Sequence, residues 1–512
     1  MKKSSLVLTA TAAVAVLALG LSGCTPSAPK PTGSAAAAAT ATLTVAIAGG
    51  PSKWDPATFD WGYQLQPQQA AYDTLIHEAP DGKFVAGLAT SWEYKTPTEF
   101  DLTLRKGVTF TDGAAFNAAA VKANIDHDKA TVGPKTAQLA SVSSTEVLST
   151  YKLAIHLSTP NPALPYVFSQ AMGMIASPTA LKDLPALYLN PVGAGPYKLD
   201  ASKTVASDHY TFVKNPDYWD ATNVKYGTIV FRLMADSNAV FNAVRTGQVD
   251  MGVGSPQTVA TAPSAGLKVL SFAGGMYSVL LQDRKGTLVP ALGNVKVRQA
   301  LNFAVDKEAI AKTLLPGRAT SQIFGPATEA YDPALDSTYK FNLSKAKSLL
   351  ADAGYAGGFS FDVLSTPGLD TTLQAIAADL KKVNVTLNIV DKPPLDYVAA
   401  RTTAQYPAYF GPNTPTNAYL DASNWTMPTG ALNSFKVKDQ TMVDLFTEAA
   451  SQDDVGRAAT YKKLSKRVVD QAWFLMIDQA TSYYYYNPKT VAGVQATPGQ
   501  IVPFIGTFAP AK

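Results

Sequence analysis

The stretch from Tyr72 to Gly113 constrains the fold of this chain more than any other part of the sequence. Asp81-Gly82 and Asp112-Gly113 are dipeptides typical of tight turns, because glycine adopts a positive φ without steric cost. Between them, Leu102 and Leu104 alternate with polar residues, which is the pattern of a half-buried strand. After the second turn, apolar residues recur at three- to four-residue steps, as in a helix. The stretch therefore predicts short strands, tight turns and a helix in one compact unit.

The rest of the chain alternates between strand and helix patterns. Predicted strands lie at 43–48, 229–231, 249–251, 383–389 and 483–486, with a hairpin over 141–158. Predicted helices lie at 236–245, 342–353, 373–382, 440–452 and 457–471. The helix patterns at 236–245 and 342–353 also begin at a capping Asp or Asn and end near a Gly. This alternation predicts an α/β protein, and we find no internal repeat.

The N-terminus has the features of an export signal. Lys2 and Lys3 precede an apolar run over 6–21, which ends just before Cys24, the only cysteine of the chain. The pattern resembles a bacterial lipoprotein signal, in which residues 1–23 are removed and the thiol of Cys24 carries a lipid. An ordinary secretory signal or a short membrane span are the alternatives. Residues 24–41 are rich in Ala, Pro, Ser and Thr, which predicts a flexible tether.

Composition excludes some classes of function. The chain of 512 residues is long enough for two or three domains after the tether. Removing Lys2 and Lys3 with the signal lowers the formal net charge from +4 to +2. A net charge this small does not indicate a nucleic-acid-binding protein. No later segment approaches the roughly 20 apolar residues of a membrane span. We therefore expect an extracytoplasmic protein that is anchored at one end.

The chain lacks the components of most catalytic and metal sites. It has four histidines, no P-loop and no G-x-S-x-G motif. Asp126-His127-Asp128 is interpreted as a solvated helix end, and Gly193-Ala194-Gly195 as a structural turn rather than a dinucleotide loop. We predict no enzymatic activity, no cofactor and no metal. A glycosidase that uses a carboxylate pair remains open, since any two acids can meet in space.

Several short segments, taken in order, resemble one family. They are Trp54-Asp55-Pro56, Tyr72-Asp73-Thr74-Leu75, Leu88 to Glu93, Leu104 to Val108, Phe110 to Gly113, Asn190 to Lys198 and Asn215 to Trp219. Their order and spacing resemble the extracytoplasmic solute-binding proteins of the peptide/nickel (family 5) ABC transporters. The resemblance extends over about 43–490. It implies a two-lobed, periplasmic-binding-protein-like fold of the cluster C type, with two strands crossing between the lobes.

The resemblance also implies how the chain is divided. Lobe I is discontinuous and takes residues 42–80, 191–283 and 483–512, while 81–190 form an extra subdomain and 284–482 form lobe II. The ligand would lie between the lobes, which close by a hinge motion. The cleft residues that the resemblance implies are Trp61, Tyr63, Met276, Tyr277, Tyr409, Asn413 and Trp425. Core packing is the alternative role for each of them.

Two departures from the family pattern bear on the ligand. Asn413 stands where peptide receptors of this family commonly carry the acid that binds an α-ammonium, and an amide there loses a charge-assisted hydrogen bond of about 1.5–3 kcal/mol. Asp421 and Asp396 are the remaining acids that can replace it. No histidine follows His209, which disfavours a nickel chelate.

We therefore expect a monomeric, membrane-anchored receptor of an ABC importer. It would bind a peptide or a similar small polar ligand and deliver it to the permease subunits. A non-peptide ligand, such as a glycoside or an opine, is the alternative. A surface hydrolase and an adhesive lipoprotein without a small-molecule site also remain open.

Overall fold

The structure is a computed structural model that describes residues 41–59, 62, 64–315 and 317–512. The predictions for Cys24, Trp61, Tyr63, the signal over 1–23 and nearly all of the tether lie outside the described residues. Within the described ranges, no helix combines the length and the apolar character that crossing a membrane requires.

The described chain contains thirteen α-helices and nineteen strands, besides short 3-10 turns. The helices are α1 (Leu65–Ala71), α2 (Ala118–Ala130), α3 (Leu164–Phe168), α4 (Leu184–Leu189), α5 (Ser237–Thr246), α6 (Val295–Ala304), α7 (Lys307–Thr313), α8 (Leu343–Asp352), α9 (Asp370–Lys381), α10 (Pro394–Ala400), α11 (Ala418–Trp425), α12 (Gln440–Ala450) and α13 (Asp454–Asp470). The strands are β1 (Thr42–Ile47), β2 (Ile76–Glu78), β3 (Phe84–Ala86), β4 (Ala89–Thr96), β5 (Glu99–Leu104), β6 (Val142–Ser149), β7 (Lys152–Leu157), β8 (Tyr197–Leu199), β9 (His209–Lys214), β10 (Thr228–Leu233), β11 (Met251–Val253), β12 (Lys268–Leu281), β13 (Gly317–Ala319), β14 (Phe359–Ser365), β15 (Val385–Asp391), β16 (Ala408–Asn413), β17 (Phe474–Tyr486), β18 (Val491–Ala492) and β19 (Ala509–Pro510).

Ten strands form one hydrogen-bonded path in the order β15-β14-β16-β12-β17-β11-β1-β10-β9-β8, and β13 pairs with β17 beside it. The two long strands at the middle of this path, β12 and β17, have 14 and 13 residues. They run antiparallel to each other, with registered pairs from Lys268 opposite Tyr486 to Leu280 opposite Phe474. Each long strand therefore passes through both halves of the molecule.

The two halves of this strand path belong to different hydrophobic cores. Leu43, Phe231 and Tyr484 are buried in one core, which we call lobe I. Val279 and Leu475 are buried in another core with α6, α8 and α9. We use the name lobe II for this core and the neighbouring core around Tyr409 together. The structure thus confirms the two-lobed α/β fold and the two crossing strands that the resemblance implies. The exact lobe boundaries stay a prediction.

A four-stranded sheet, β4-β5-β7-β6, forms a small unit on lobe I. The predicted hairpin over 141–158 is present as β6 and β7. Leu102 of β5 and Leu153 of β7 pair across the sheet and are both buried in the lobe I core. The alternating pattern that opened the sequence analysis therefore positions this unit against lobe I.

Local signals in the sequence match the observed helix ends. The carboxylate of Asp236 accepts a hydrogen bond from the Ala239 N–H and caps α5, which ends at Gly247 with φ 76°. The side chain of Asn342 caps α8 in the same way. Gly195 is a structural glycine, as predicted, since a Cβ there would lie 2.4 Å from the carbonyl carbon of Ala71.

The interpretation of Asp126-His127-Asp128 as a solvated helix end is wrong. Asp128 is buried, and burial together with the nearby Asp55 carboxyl raises its pKa well above the usual range. The His127 Nε2 atom lies 3.0 Å from both carboxylate oxygens of Asp55. The end of α2 packs beneath the loop at Asp55, a tertiary contact that the local sequence does not reveal. Among the described residues, no group of three acids, histidines or cysteines is placed to hold a metal.

Candidate functional site

The crossing strands change their pairing where they leave lobe I. The register of β12 against β17 shifts between Ala273 and Met276, so that Gly274 and Gly275 lie in an irregular segment. A Cβ on Gly274 would lie 2.7 Å from the Ser482 Oγ atom and 3.0 Å from the Ala480 carbonyl oxygen. A side chain at this position would crowd the facing strand, so glycine favours the close approach of the two strands. We call this interrupted part of the ladder, which lies between the two cores, the hinge.

One row of side chains crosses four strands on the lobe II side of this hinge. Arg318 of β13 is registered with Gln479 of β17, Gln479 with Met276 of β12, and Met276 with Asn413 of β16. Registered residues of neighbouring strands point to the same face of a sheet. We call these four residues the polar row, although Met276 contributes a thioether at its centre.

Asn413, at one end of the polar row, has a side-chain hydrogen-bond donor without a partner among the described residues. Its side chain is 9% exposed, and its Oδ1 atom accepts a hydrogen bond of 3.1 Å from the Tyr409 hydroxyl. Its Nδ2 atom has no partner among the described residues. At the other end, an Arg318 N–H donates to the Gln479 Oε1 atom at 3.3 Å, while Arg318 also pairs with Asp336. The row therefore presents an amide N–H and a guanidinium.

Asp478 lies in the next row, registered with Tyr277 of β12 and Ala319 of β13. It is fully buried, and neither of its carboxyl oxygens has a hydrogen-bond partner among the described residues. Burial raises the pKa of this carboxyl to about 7, and the charge of Arg318 opposes that shift. A buried acid without a partner is unusual, because desolvating an unpaired charge is costly.

The structure brings several of the predicted site residues together. Met276 and Asn413 share the polar row, Tyr277 lies in the neighbouring row, and Tyr409 touches Asn413 from within the lobe II core. Trp425 is buried in that core, where its ring packs against Phe324 and Phe474 at 6.2 and 6.4 Å. Their roles in binding a ligand stay predictions.

Sequence reasoning missed Arg318, Gln479 and Asp478. Adjacent residues of a strand face opposite sides of the sheet, so Asp478 and Gln479 of β17 point to opposite faces. Nothing in the sequence shows which residues of β12, β13 and β16 are registered beside them, because register depends on bulges and on pairing between distant segments. The polar row is therefore visible only in three dimensions.

The two lobes also touch at a distance from the hinge. The Tyr419 hydroxyl of α11, in lobe II, donates a hydrogen bond of 3.2 Å to the Pro160 carbonyl oxygen, which belongs to the other half of the molecule. The Tyr419 ring packs against the lobe I core. Nearby, burial raises the pKa of Asp421 to about 7, although Thr416 donates to both of its oxygens. The structure thus shows the lobes in contact.

Two lobes, paired crossing strands and a polar face beside the hinge define a periplasmic-binding-protein fold. The model of the bacterial extracellular solute-binding proteins, family 5 Middle, matches residues 83–434 of this chain. The chain belongs to this family of extracellular solute-binding proteins.

Curated relatives include the glutathione-binding protein GsiB of Shigella flexneri, which is 30% identical over 285 residues. The match covers 54% of this chain and 54% of the relative. GsiB of Salmonella typhimurium is 29% identical over 303 residues and covers 57% of each chain. The chain thus spans about half the length of the curated relatives it matches.

Solved structures with the same fold cover 92% of this chain. AgaA of A. tumefaciens R10, in complex with agropinic acid, has a TM-score of 0.78 and 24% identity, and 99% of it is covered. The oligopeptide-binding protein AppA of Bacillus subtilis, in complex with a nonapeptide, has a TM-score of 0.74 and 19% identity, and 99% of it is covered. At this identity the likeness establishes the fold.

Proposed function

We propose that the chain is the ligand receptor of an ABC importer. It captures a peptide or a similar small polar ligand between its two lobes by closing at the hinge, and delivers the ligand to permease subunits in the membrane. The observation that supports this most directly is the polar row beside an interrupted pair of crossing strands. Membership in a family of solute-binding proteins supports it independently.

The chemistry of the row bears on the class of ligand. The Asn413 amide offers an N–H donor, and an ammonium group needs acceptors instead. A carbonyl or carboxylate oxygen of the ligand satisfies the amide, and the Arg318 guanidinium, which is paired with Asp336, lies on the same face. We therefore favour a ligand that places an acceptor at Asn413, such as a peptide whose N-terminus is blocked or bound elsewhere.

A non-peptide ligand, such as a glycoside or an opine, is the second candidate. The same observation favours it, since hydroxyl and carboxylate oxygens accept hydrogen bonds from an amide N–H. Trp61, Tyr63, Tyr277 and Trp425 remain proposed cleft residues for either class. We propose no catalytic role for any of them.

Membrane attachment is proposed from the sequence around Cys24. Cleavage before Cys24 followed by lipidation would hold the receptor at the outer face of the cell membrane, with 24–41 as a tether. Metabolic labelling with a fatty acid, comparing the full chain with Cys24→Ser, tests this. Label in both chains, or in neither, would contradict the lipid anchor.

The receptor function is tested by native mass spectrometry on residues 42–512 purified without refolding. We expect a discrete added mass that denaturation removes, and its value identifies the ligand class. Asn413→Leu is expected to weaken rebinding of that ligand by about tenfold or more, because a hydrogen bond in the cleft is lost. Asn242→Leu on the exposed face of α5 serves as the control.

A bare protein mass leads to a second measurement with the same sample. Peptide, glycoside and opine pools are screened by thermal shift, where a ligand at 100 times its Kd stabilises by about 2.7 kcal/mol. No shift with any pool would overturn the receptor proposal.

A further inference from the structure

A separate cavity of about 130 Å³ lies inside lobe I. Its lining comes from four stretches, 69–78, 169–174, 196–225 and 500–508. None of these stretches contributes to β12, β13, β16 or the polar row. Asn223 and Lys225 on its lining are exposed, whereas Gln69 and Gln500 are buried, so the cavity leads from the surface into the lobe.

Aromatic rings form much of the wall. Tyr197, Tyr218, Phe504 and Phe508 all line the cavity. The His77 and Phe504 ring centroids lie 6.3 Å apart. Aromatic faces carry negative potential and attract organic cations.

Most hydrogen-bond donors on the wall are already used within the protein. The Tyr218 hydroxyl donates to Asp73 at 3.1 Å, and the Tyr72 hydroxyl donates to the Trp54 carbonyl oxygen at 2.5 Å. The His77 Nε2 atom pairs with Asp73 at 2.5 Å, which balances the charge of that carboxylate. At the exposed end, the Lys225 ammonium donates to the Thr222 carbonyl oxygen of its own loop. The amide nitrogens of Gln69 and Gln500 are further neutral donors on the wall, and the Gln69 Oε1 atom accepts from the Ile505 N–H.

Two hydrogen-bond acceptors on the cavity wall receive no hydrogen bond from a described residue. The Glu78 Oε2 atom accepts from Gln170 at 3.1 Å, and no described residue donates to Oε1. The Gln500 side chain is 6% exposed, and its Oε1 atom has no partner among the described residues. Burial raises the pKa of Glu78 to about 8, as expected for a carboxyl with no cation beside it.

We propose that this cavity is a second small-molecule site, distinct from the cleft between the lobes, which binds a small organic ammonium compound. The ammonium group pairs with the Glu78 carboxylate, which releases its proton to solvent as the cation binds. The ammonium also hydrogen-bonds to the Gln500 amide oxygen, and the hydrocarbon part packs on the aromatic wall. The volume of the cavity limits the size of the ligand, since a cavity of about 150 Å³ in another protein accommodates benzene. A compound of about five or six non-hydrogen atoms therefore fits.

The test is isothermal titration of residues 42–512 with n-butylammonium chloride and with 1-butanol, which have the same number of non-hydrogen atoms. We expect one n-butylammonium per chain, bound about tenfold or more tightly than 1-butanol, because the charged hydrogen bond is specific to the cation. Glu78→Gln keeps the shape of the wall and is expected to weaken n-butylammonium about tenfold or more. Gln500→Leu provides a second variant, should Glu78→Gln fail to fold.

Asn413→Leu is the control for the cleft and is expected to leave n-butylammonium binding unchanged. The proposal is overturned if 1-butanol binds as well as the cation, if Asn413→Leu abolishes the binding, or if no variant of the cavity changes it. Absence of binding by the wild-type chain also overturns it. None of these outcomes bears on the receptor proposal, which rests on a different ligand and a different site.

Discussion

At the scale of single residues, the polar groups near the hinge differ in how well they are satisfied. Asn413 has one bonded and one unbonded side-chain atom, whereas neither carboxyl oxygen of Asp478 has a hydrogen-bond partner among the described residues. In a packed interior such groups cost stability, and they persist where a ligand or a proton completes them. These two positions are therefore the most informative ones to change.

Replacing Asn413 by Asp is expected to create a site for a free α-ammonium. The new carboxylate forms a charge-assisted hydrogen bond of about 1.5–3 kcal/mol, so a free N-terminus should gain about 10- to 100-fold over an acetylated one. Titration calorimetry with trialanine and N-acetyl-trialanine measures the ratio for both chains. Asn242→Asp on the surface of α5 is the matched control. An unchanged ratio in Asn413→Asp would show that this position does not meet the ligand terminus.

Replacing Asp478 by Asn is expected to alter how stability depends on pH. The folded pKa of about 7 lies above the value of an unfolded Asp near 3.9, so the folded chain keeps a proton that the unfolded chain releases. Stability therefore falls as pH rises from about 4 to 7, by at most about 1.4 kcal/mol per pH unit for one proton.

In Asp478→Asn this contribution disappears, while those of Glu78 and Asp421 remain in both chains. Urea denaturation at several pH values between 4.5 and 7.5 measures the difference in slope. Asp396→Asn, at an exposed position of α10, should keep the slope of the wild-type chain. Parallel curves for wild type and Asp478→Asn would contradict the raised pKa.

At the scale of elements, the sequence predicts those helices and strands that carry their own local signals, and the others were not predicted. Capping by Asp236 and Asn342 and the hydrophobic alternation of β7 are local, and local signals survive in the folded chain. The polar row is different, because it depends on register shifts between β12 and β17. Likewise, Asp128 has the sequence context of a surface helix end, and only the packing against Asp55 buries it.

The turn at Gly195 offers a test at this scale. A Cβ there would lie 2.4 Å from the Ala71 carbonyl carbon and 2.6 Å from the Tyr72 nitrogen, and neither backbone atom can move freely. Gly195→Ala should therefore destabilise the protein by about 1–3 kcal/mol. At Gly49 a Cβ meets nothing within 4 Å, so Gly49→Ala is the control. Equal urea midpoints for the two variants would show that the turn relaxes.

At the scale of the whole molecule, the two lobes are connected in two ways. The crossing strands join them covalently, and α11 of lobe II touches the other half through Tyr419 and Pro160. The family resemblance implied the first connection, and no sequence pattern indicated the second. The position of α11 over lobe I depends on the angle between the lobes, which is a property of the complete fold.

Removing the Tyr419 hydroxyl tests this second connection. Tyr419→Phe loses one hydrogen bond of about 0.5–1.5 kcal/mol, and we expect about a 2- to 12-fold weaker affinity for the cleft ligand. Small-angle scattering should show a larger average radius of gyration without ligand. Tyr355→Phe, whose hydroxyl has no hydrogen bond to a described residue, is the control. An unchanged radius and affinity would show that the contact does not stabilise the closed arrangement.

The crossing strands have a mechanical consequence. They are hydrogen-bonded to each other along most of their length, so they bend together as one two-stranded ribbon rather than independently. A paired ribbon resists shear between its strands and yields where its ladder is interrupted, at the two neighbouring register shifts between Ala273 and Ser278. We therefore expect the lobes to swing about a single axis, with little sliding or twisting. The size of a bound ligand then determines the angle between the two lobes. That angle sets the positions of the far ends of the lobes, where they contact another surface.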